Sequence, residues 1–503
     1  MNNSQSSNIM QNNEFSLSKD GKSILLWNMG RGPMYRYTCV VNIPEGIESI
    51  AEGAFAGNEN LDKIYFPKTL KKIGSRAFAG CGKFHILYAG ETMESIGEYA
   101  FYGCNLLPIR GNSCLPKKIK FANKDSFYGC KVIHQPVGMR FQDNHWVPFV
   151  EENVQEKQEL VNDSVEYNNL LKNAVEDESG VVYDSQYRYI LKCNNKDLVK
   201  YVVKEGTVGI FKLSFFNISK LEEIDIRDVK HIGMSAFSGC TKLNKIDWGS
   251  ELKSIGEDAF SETGIVRTVL PKSLQELGPG VFSGCSNLED IELRCDIEVL
   301  PGGTFSNCKS LRSIKLSDKI LEIGRMAFAY CSSLINIQLP TNLIKLEELC
   351  FYKSGLESVV LPKSLVLMGS SPFCCCNNLA ITSLSPFFYS DGHFLLAYNK
   401  TLLVSYLQDE VNVSVPNTVK VIMGSSFSCK KNKHRIFLPD YVECIAYSAF
   451  AYAKADIVNI PKSVHTIDPR FDWHSAVKEF MFSSDYIKNT KLSLSSGAKI
   501  IEY

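Results

Sequence analysis

A phrase of the form Ile-Gly-x-x-Ala-Phe recurs along the chain, and its spacing constrains the fold more than any other feature. It reads HIGMSAFSGC in one place and EIGRMAFAYC further on. Nearly every step between the phrase phenylalanines is 22 or 23 residues, with one step of 26 and one of 21. A period of this length indicates repeated units that stack on one another. The phenylalanines form three series: Phe55, Phe78, Phe101 and Phe127; Phe215, Phe237, Phe260, Phe282, Phe305, Phe328, Phe351 and Phe373; and Phe427, Phe450 and Phe471.

An apolar triplet spaced L-x-x-I-x-L lies downstream of most phrases, as in Leu221, Ile224 and Ile226. Its alternating end predicts a short strand with one buried face. A proline such as Pro271 often follows the triplet, and it ends the strand because it has no N–H to donate. We expect the glycine of the phrase to permit a tight turn. The Ala-Phe pair is expected on one helical or 3₁₀ turn, with the ring pointing inward.

A single unit of this kind cannot fold alone. Its few apolar side chains contribute less free energy than ordering its backbone costs. Stacked units bury one another's faces and share a strand ladder, which makes the array stable. The sequence therefore predicts a solenoid.

The full pattern, L-x-x-I-x-I-P-x-x-V-x-x-I-G-x-x-A-F-x-x-C, resembles the BspA-like (Treponema pallidum type) leucine-rich repeats. The resemblance covers roughly residues 43–130 and 203–480. It implies an α/β repeat fold, a curved leucine-rich-repeat solenoid with a parallel β-sheet on the concave face and short helical or 3₁₀ turns on the convex side. It also implies a surface-associated or secreted protein that adheres to host proteins or to other cells.

The repeats are interrupted, and each series has a similar preface: FSLSKDGKSILLW, VVYDSQYRYILKC and FFYSDGHFLLAY. Turn residues between alternating apolar runs predict β-hairpins that cap the solenoid or are inserted into it. Between residues 131 and 180 the period is lost and the chain is acidic. An amphipathic helix packed on the solenoid and a loosely ordered linker both fit this segment. The predicted organisation is 1–42, N-terminal tail and capping hairpin; 43–130, repeats; 131–202, insert; 203–382, repeats; 383–414, inserted hairpin; and 415–503, C-terminal repeats and cap.

Charge and hydropathy limit the classes of partner and the location. Among 503 residues, 55 are basic and 55 are acidic, so we expect no nucleic-acid partner. No apolar run approaches the roughly 20 residues of a membrane span, and we expect no transmembrane segment. The polar start MNNSQSSNIMQNN lacks the pattern of a secretory signal. The sequence as written favours the cytoplasm, whereas the resemblance implies the cell surface or secretion.

The residues that usually carry chemistry show no catalytic or metal-binding spacing. Eight of the 17 cysteines stand three residues after a repeat Phe, where a small, weakly polar side chain fits a corner of the coil. The run FCCC includes one of these register positions, and no C-x-x-C pair occurs. The eight histidines are scattered, without an H-E-x-x-H motif. We expect no catalytic residue, no metal and no cofactor. An enzyme within residues 131–180 is the disfavoured alternative, because that segment is too short to form its own pocket.

The concave sheet is the better place to look for function. The two x positions that flank the Ile of each strand point away from the core. Eight coils at about 4.8 Å each give a face about 40 Å long, which suits a macromolecule rather than a metabolite. We hypothesise a monomeric, non-enzymatic scaffold that binds a protein there, possible partners including a host or cell-surface protein. The alternatives are an adhesin or glycan-binding surface protein and, for the face itself, an ordinary solvated sheet. The candidate partner-binding residues are Glu223, Asp225, Lys245, Asp247, Arg267, Asp290, Glu292, Lys315, Asn336 and Gln338.

Overall fold

The structure, a computed structural model, comprises two compact units, residues 1–152 and 153–503. The boundary between the units falls within the predicted insert 131–202. The residues that the structure describes are 15–27, 39–58, 61–81, 83–88, 92–106, 121–122, 126, 139–142, 145–148, 159–376, 379–397, 400–428, 433–464, 466–483, 494 and 496–502.

The described residues of unit 1 form short strands that pair mainly in parallel within two sheets. One of these sheets begins with an antiparallel hairpin. One sheet has the order β1-β2-β4-β6-β8-β10, the other has the order β3-β5-β7-β9, and β11 pairs with β12 as a separate hairpin. The strands are β1 (Phe15–Leu17), β2 (Ser23–Trp27), β3 (Cys39–Asn42), β4 (Ser49–Ile50), β5 (Leu61–Tyr65), β6 (Lys72–Ile73), β7 (Lys83–Tyr88), β8 (Ser95–Ile96), β9 (Asn105–Leu106), β10 (Phe121–Ala122), β11 (Met139–Gln142) and β12 (His145–Pro148).

Among the described residues of unit 2, two short helices come first and strands follow them. The elements are α1 (Glu159–Asn162), α2 (Ser164–Leu171), β13 (Val175–Glu176), β14 (Val181–Tyr183), β15 (Tyr189–Cys193), β16 (Lys200–Val202), β17 (Gly209–Ile210), β18 (Glu223–Asp225), β19 (His231–Ile232), β20 (Lys245–Asp247), β21 (Ser254–Ile255), β22 (Arg267–Leu270), β23 (Glu276–Leu277), β24 (Asp290–Leu293), β25 (Val299–Leu300), β26 (Ser313–Lys315), β27 (Glu322–Ile323), β28 (Asn336–Ile337), β29 (Lys345–Leu346), β30 (Ser358–Leu361), β31 (Leu367–Met368), β32 (Ala380–Ser383), β33 (Phe388–Ser390), β34 (Phe394–Ala397), β35 (Leu402–Tyr406), β36 (Asn412–Ser414), β37 (Val421–Ile422), β38 (His434–Phe437), β39 (Cys444–Ile445), β40 (Ala455–Ile460), β41 (Thr466–Ile467), β42 (Glu479–Phe482) and β43 (Lys499–Glu502).

A typical coil of unit 2 contributes a strand to each of two parallel walls. The L-x-x-I-x-L triplet forms the longer strand, so that Ile224 pairs in register with Ile246. The Ile of the Ile-Gly phrase forms a second, two-residue strand, in which Ile232 pairs with Ile255. The first strand is the one that the sequence predicts. The long-strand wall contains the sheets β16-β18-β20, β22-β24-β26, β28-β30-β32 and β36-β38-β40-β42-β43, and the short-strand wall contains β13-β14-β15-β17-β19-β21-β23, β25-β27-β29-β31 and β33-β34-β35-β37-β39-β41.

The Ala-Phe segment forms a third wall, made of tight hydrogen-bonded turns. The N–H of Phe237 donates to Ala259 O of the next coil at 2.7 Å. The next N–H, of Ser238, donates within its own coil to Ser235 O at 3.2 Å. Because alternate N–H groups bond between coils and within the turn, this wall holds adjacent coils together without a helix. We call it the turn wall.

The repeat phenylalanines of the described residues point inward, as predicted, and most of them stack on the repeat phenylalanine of the next coil, whereas Phe450 and Phe471 meet edge to face. The rings of Phe215 and Phe237 are 5.0 Å apart between centroids and 8° from parallel. Phe282 and Phe305 are 5.7 Å apart and 2° from parallel. All four of these side chains have no exposed surface. Unit 1 has a similar stack of its own, formed by Phe55, Phe78 and Phe101, and Phe127 lies outside the described residues.

The glycine of the Ile-Gly phrase is required by close packing rather than by a turn that only glycine can adopt. Its φ is not positive at Gly233 or Gly256. A Cβ on Gly256 would lie 2.6 Å from the backbone nitrogen of Met234 in the preceding coil, and one on Gly233 would lie 2.5 Å from that of Lys212. The backbones of adjacent coils therefore approach too closely here for any side chain.

The three predicted hairpins are present, and each starts a short-strand sheet. The pairs β1–β2, β14–β15 and β33–β34 are antiparallel, and after the third preface β34 also pairs antiparallel with β35. The strands β2, β15 and β35 then pair in parallel with a strand of the following coil, β4, β17 and β37 respectively. Each hairpin thus covers the edge that the first coil of its series would otherwise expose.

Part of the acidic insert is helical and packs on the solenoid of unit 2. Asp163 caps α2 by accepting hydrogen bonds from the backbone N–H groups of Val165 and Glu166. Val161 is buried against Leu191 and Phe211. Residues 159–162 and 164–171 of the insert are thus helical, and residues 149–158 lie outside the described residues.

Candidate functional site

All ten candidate residues lie on the outward side of the long-strand wall of unit 2. Glu223 stands opposite Lys245, and Asp225 stands opposite Asp247. The intervening Ile224 is fully buried, because successive side chains of a strand point to opposite faces. We call the outward surface of the long-strand wall from β18 to β32 the concave face; its strands are β18, β20, β22, β24, β26, β28, β30 and β32. The other candidates on this face are Arg267 opposite Asp290, Glu292 opposite Lys315, and Asn336 with Gln338.

The carboxylate of Glu223 is held between two lysines. Lys200 Nζ lies 3.1 Å from Glu223 Oε2, and Lys245 donates a hydrogen bond to Oε1. The hydrogen bond from Lys245, followed by that from Lys200, lowers the pKa of Glu223. Glu223 also raises the pKa of Lys245 by its hydrogen bond and its charge. These three charges are therefore matched within the protein itself.

Glu292 repeats this arrangement farther along the face. Arg294 Nη2 lies 3.1 Å from Glu292 Oε2, and Lys315 Nζ lies 3.0 Å from Oε1. The two hydrogen bonds, that from Arg294 being the larger influence, lower the pKa of Glu292. Arg267 is paired as well, although less closely, with Glu289 at 3.4 Å.

Two exposed aspartates of the concave face form no ion pair with any residue that the structure describes. Asp247 accepts a hydrogen bond at 3.1 Å from the backbone N–H of Gly249. Asp290 makes no side-chain hydrogen bond or ion pair with any residue that the structure describes. A carboxylate of this kind can pair with a cation on another molecule without first breaking an internal pair.

The far end of the face carries no charge at its outward strand positions. These positions hold Asn336 on β28, Ser358 and Val360 on β30, and Ala380 and Thr382 on β32. Val360 is 50% exposed. The concave face therefore changes from a charged part on β18 to β26, in which the carboxylate of Asp290 lies unpaired among internally paired charges, to an uncharged part on β28 to β32 with an exposed apolar side chain.

Sequence reasoning missed Lys200 and Arg294, which pair with Glu223 and Glu292. The sequence does contain a pattern that indicates the position of Lys200. Leu198, Tyr201 and Val203 have the L-x-x-I-x-L spacing, and β16 pairs in parallel with β18. Extending the repeat by one unit upstream predicts Lys200 at an outward position of the same wall, next to the concave face.

The cysteines in register behave as buried parts of the coil. Cys331 Sγ donates a hydrogen bond to Phe305 O at 3.1 Å, and burial raises the pKa of this thiol to about 12. In the run FCCC, Cys374 and Cys376 are buried thiols, and Cys375 is disulfide-bonded. Within the described ranges, no three His, Cys, Asp or Glu side chains are placed to hold a metal ion. Likewise, no helix in the part of the chain that the structure describes is long and apolar enough to cross a membrane.

Comparison with protein families identifies the repeat. The family model of the BspA type leucine rich repeat region (6 copies) matches residues 37–139, 209–333, 298–402 and 405–500. These ranges cover well over half of the chain and include the whole of the concave face. A comparison with curated proteins gave no match.

Several solved structures are similar in fold. A leucine rich cell surface protein from Faecalibacterium prausnitzii is 20% identical, with 65% of this chain and 94% of that chain covered and a TM-score of 0.44. A leucine-rich repeat protein from Bacteroides ovatus is 19% identical, covering 75% and 100%, with a TM-score of 0.31. A leucine rich repeat protein of T. pallidum is 22% identical, covering 32% and 86%, with a TM-score of 0.25.

Proposed function

The chain belongs to the BspA-type leucine-rich repeat family, and on this basis we propose that it is a non-enzymatic scaffold that binds a protein partner on the concave face of unit 2. The observation that carries the proposal is the change in charge along this face. Internally paired charges lie on β16 to β20 and on β24 to β26, the unpaired carboxylate of Asp290 lies among them on β24, and an uncharged surface follows on β28 to β32.

The hydrogen-bonded backbone that carries these side chains supports a role in binding. Inter-coil hydrogen bonds hold the backbone on the long-strand, short-strand and turn walls. Binding therefore costs little backbone entropy, since the outward side chains are already placed at fixed spacings. Extended faces of stacked repeats are the surfaces that solenoid proteins use for binding.

The charge pattern also restricts the partner. A cation on the partner can pair with Asp290 directly, whereas a group that competes for Glu223 or Glu292 must first displace a lysine or an arginine. An apolar group is best accommodated beside Val360. The proposed partner is a protein surface with a basic residue next to an uncharged, partly apolar patch.

Affinity capture with matched charge reversals tests the proposal. The wild-type chain, Asp290→Lys and Glu257→Lys are used side by side on extracts of the producing organism and of a candidate host. Glu257 is an exposed carboxylate on the turn wall and has no ion pair within the described residues. We expect a protein that wild type and Glu257→Lys capture equally and that Asp290→Lys fails to capture. Equal capture by all three variants would contradict the proposal.

A further inference from the structure

Four aromatic side chains form a continuous row on the turn wall near the end of unit 2. Tyr447 and Trp473 have centroids 5.7 Å apart, and those of Trp473 and His474 are 4.6 Å apart. His474 lies parallel to Tyr452 at 5.7 Å and 3°. We call these four residues the aromatic row. It lies on a different wall from the concave face and is independent of the function proposed for that face.

The aromatic row is not part of the core. Tyr447 is 36% exposed, Trp473 is 43% exposed and Tyr452 is 51% exposed, and the surface of His474 is also open to solvent. Phe450 in the same coil is fully buried. Because the stacked phenylalanines already fill the interior, packing of the coils does not explain why four large rings lie in contact with one another outside it.

Two members of the row occupy backbone positions that disfavour large side chains. Tyr452 has φ 56° and His474 has φ 55°. The position of Tyr452, two residues after the repeat Phe, also has positive φ in other coils, where it holds glycine in some, such as Gly239 and Gly284, and Tyr330 in another. Bulky residues rarely adopt this left-handed conformation. Two of the four rings of the aromatic row therefore project from left-handed backbone positions of the turn wall.

The edge of the row is rich in hydrogen-bond donors. The Arg470 guanidinium lies 4.6 Å from the centroid of the Tyr447 ring, and it forms no ion pair within the described residues. Within the same residues, the hydroxyls of Tyr447 and Tyr452 and the indole N–H of Trp473 make no hydrogen bond. A ligand on the row would meet apolar ring faces, with polar groups and one unpaired positive charge at the rim.

We propose that the aromatic row binds a saccharide that carries a carboxylate. The C–H face of a sugar ring suits the exposed aromatic faces, and its hydroxyl and ring oxygens accept hydrogen bonds from the rim. The planar guanidinium of Arg470 pairs with the carboxylate.

A saccharide array tests the proposal on the full chain. The array presents carboxylate-bearing saccharides beside neutral counterparts of the same length, and the chain is applied as wild type, Trp473→Ala, Arg470→Gln and Tyr441→Ala. Tyr441 is 61% exposed in the same unit, stacks on no ring among the described residues, and serves as the control. Tyr447→Ala is a second row variant in case Trp473→Ala fails to fold, which urea unfolding would reveal.

We expect wild type and Tyr441→Ala to bind acidic saccharides in preference to neutral ones. Trp473→Ala and Tyr447→Ala should weaken binding about tenfold or more. Arg470→Gln should abolish the preference for the acidic form. Absence of binding to any saccharide would overturn the proposal, as would binding unchanged in the folded row variants. A peptide library that retains wild type and loses Trp473→Ala, without saccharide binding, would also overturn it.

Discussion

The rings of Phe328 and Phe351 lie 5.2 Å apart between centroids and only 4° from parallel. Both side chains are fully buried, one from each of two adjacent coils. Each ring therefore covers a face that its neighbour would otherwise expose to water. Repeated along the chain, this contact makes the core a shared property of adjacent coils, and the stability of one coil depends on the coils beside it.

Substituting two adjacent phenylalanines of one coil, one buried in the stack and one exposed, tests how much the stack contributes to the free energy of unfolding. Phe215 is fully buried between Tyr201 and Phe237, whereas Phe216 is 40% exposed. We expect Phe215→Ala to lower the free energy of unfolding by about 3–5 kcal/mol. The matched control, Phe216→Ala, should change it by about 0.5 kcal/mol or less. Urea unfolding measures both, and equal losses would refute a core built on the inward rings.

The close approach of backbones at Gly256 gives a second prediction. A Cβ there would meet backbone atoms of Met234 and Gly233, which cannot move aside as the end of a flexible side chain can. We expect Gly256→Ala to cost about 3 kcal/mol or more. Gly206 has φ +81°, and a Cβ added there would meet nothing within 4 Å, so Gly206→Ala should cost only about 1–2 kcal/mol. A smaller loss at Gly256 than at Gly206 in urea unfolding would contradict this packing.

Because of its buried thiols, we expect the free energy of unfolding of the protein to fall as the pH rises above about 8.5. Burial raises the pKa of Cys331 to about 12, whereas an unfolded thiol has a pKa of about 8.5. Above about pH 8.5 the unfolded state releases this proton and the native state retains it, so the free energy of unfolding falls as pH rises toward 12. Each such thiol contributes up to about 1.4 kcal/mol per pH unit.

Exchanging thiol and hydroxyl at equivalent positions isolates this effect. Cys331→Ser should reduce the decline of unfolding free energy between pH 8.5 and 10.5. Ser354 stands at the same register position of the next coil and is buried, so Ser354→Cys should make the decline steeper. Urea unfolding under reducing conditions at several pH values measures the slopes. Slopes that do not differ between these variants and wild type would show that the thiols do not titrate in this way.

Much of the fold was accessible from the sequence because its signals are local and repeated. The spacing of the phenylalanines predicted inward rings, and the prefaces predicted hairpins. The second strand of each coil was not predicted, because two residues such as His231 and Ile232 are too few to show an alternating pattern. The role of the phrase glycine was assigned to a tight turn, whereas the limiting contact at Gly256 is with the preceding coil. Sequence spacing alone does not reveal such a distance between coils.

The outward direction of the candidate residues followed from strand alternation, but their electrostatic states did not. Glu223 and Asp290 are equivalent in the sequence pattern, yet one carboxylate lies between two lysines and the other has no partner among the described residues. The difference arises from side chains of neighbouring coils, about 22 residues away in sequence. The aromatic row likewise joins residues of two coils and was not anticipated.

Carboxyl labelling of the chain alone and in complex with the protein captured by wild type tests the central claim most directly. The extent of modification at Asp290, Asp247 and Glu257 is compared by mass spectrometry in the free and bound states. We predict that binding protects Asp290 and Asp247, which lie on the concave face, and leaves Glu257 on the turn wall unchanged. Protection of Glu257 with unchanged labelling of Asp290 and Asp247 would show that the partner binds another wall and would contradict the account.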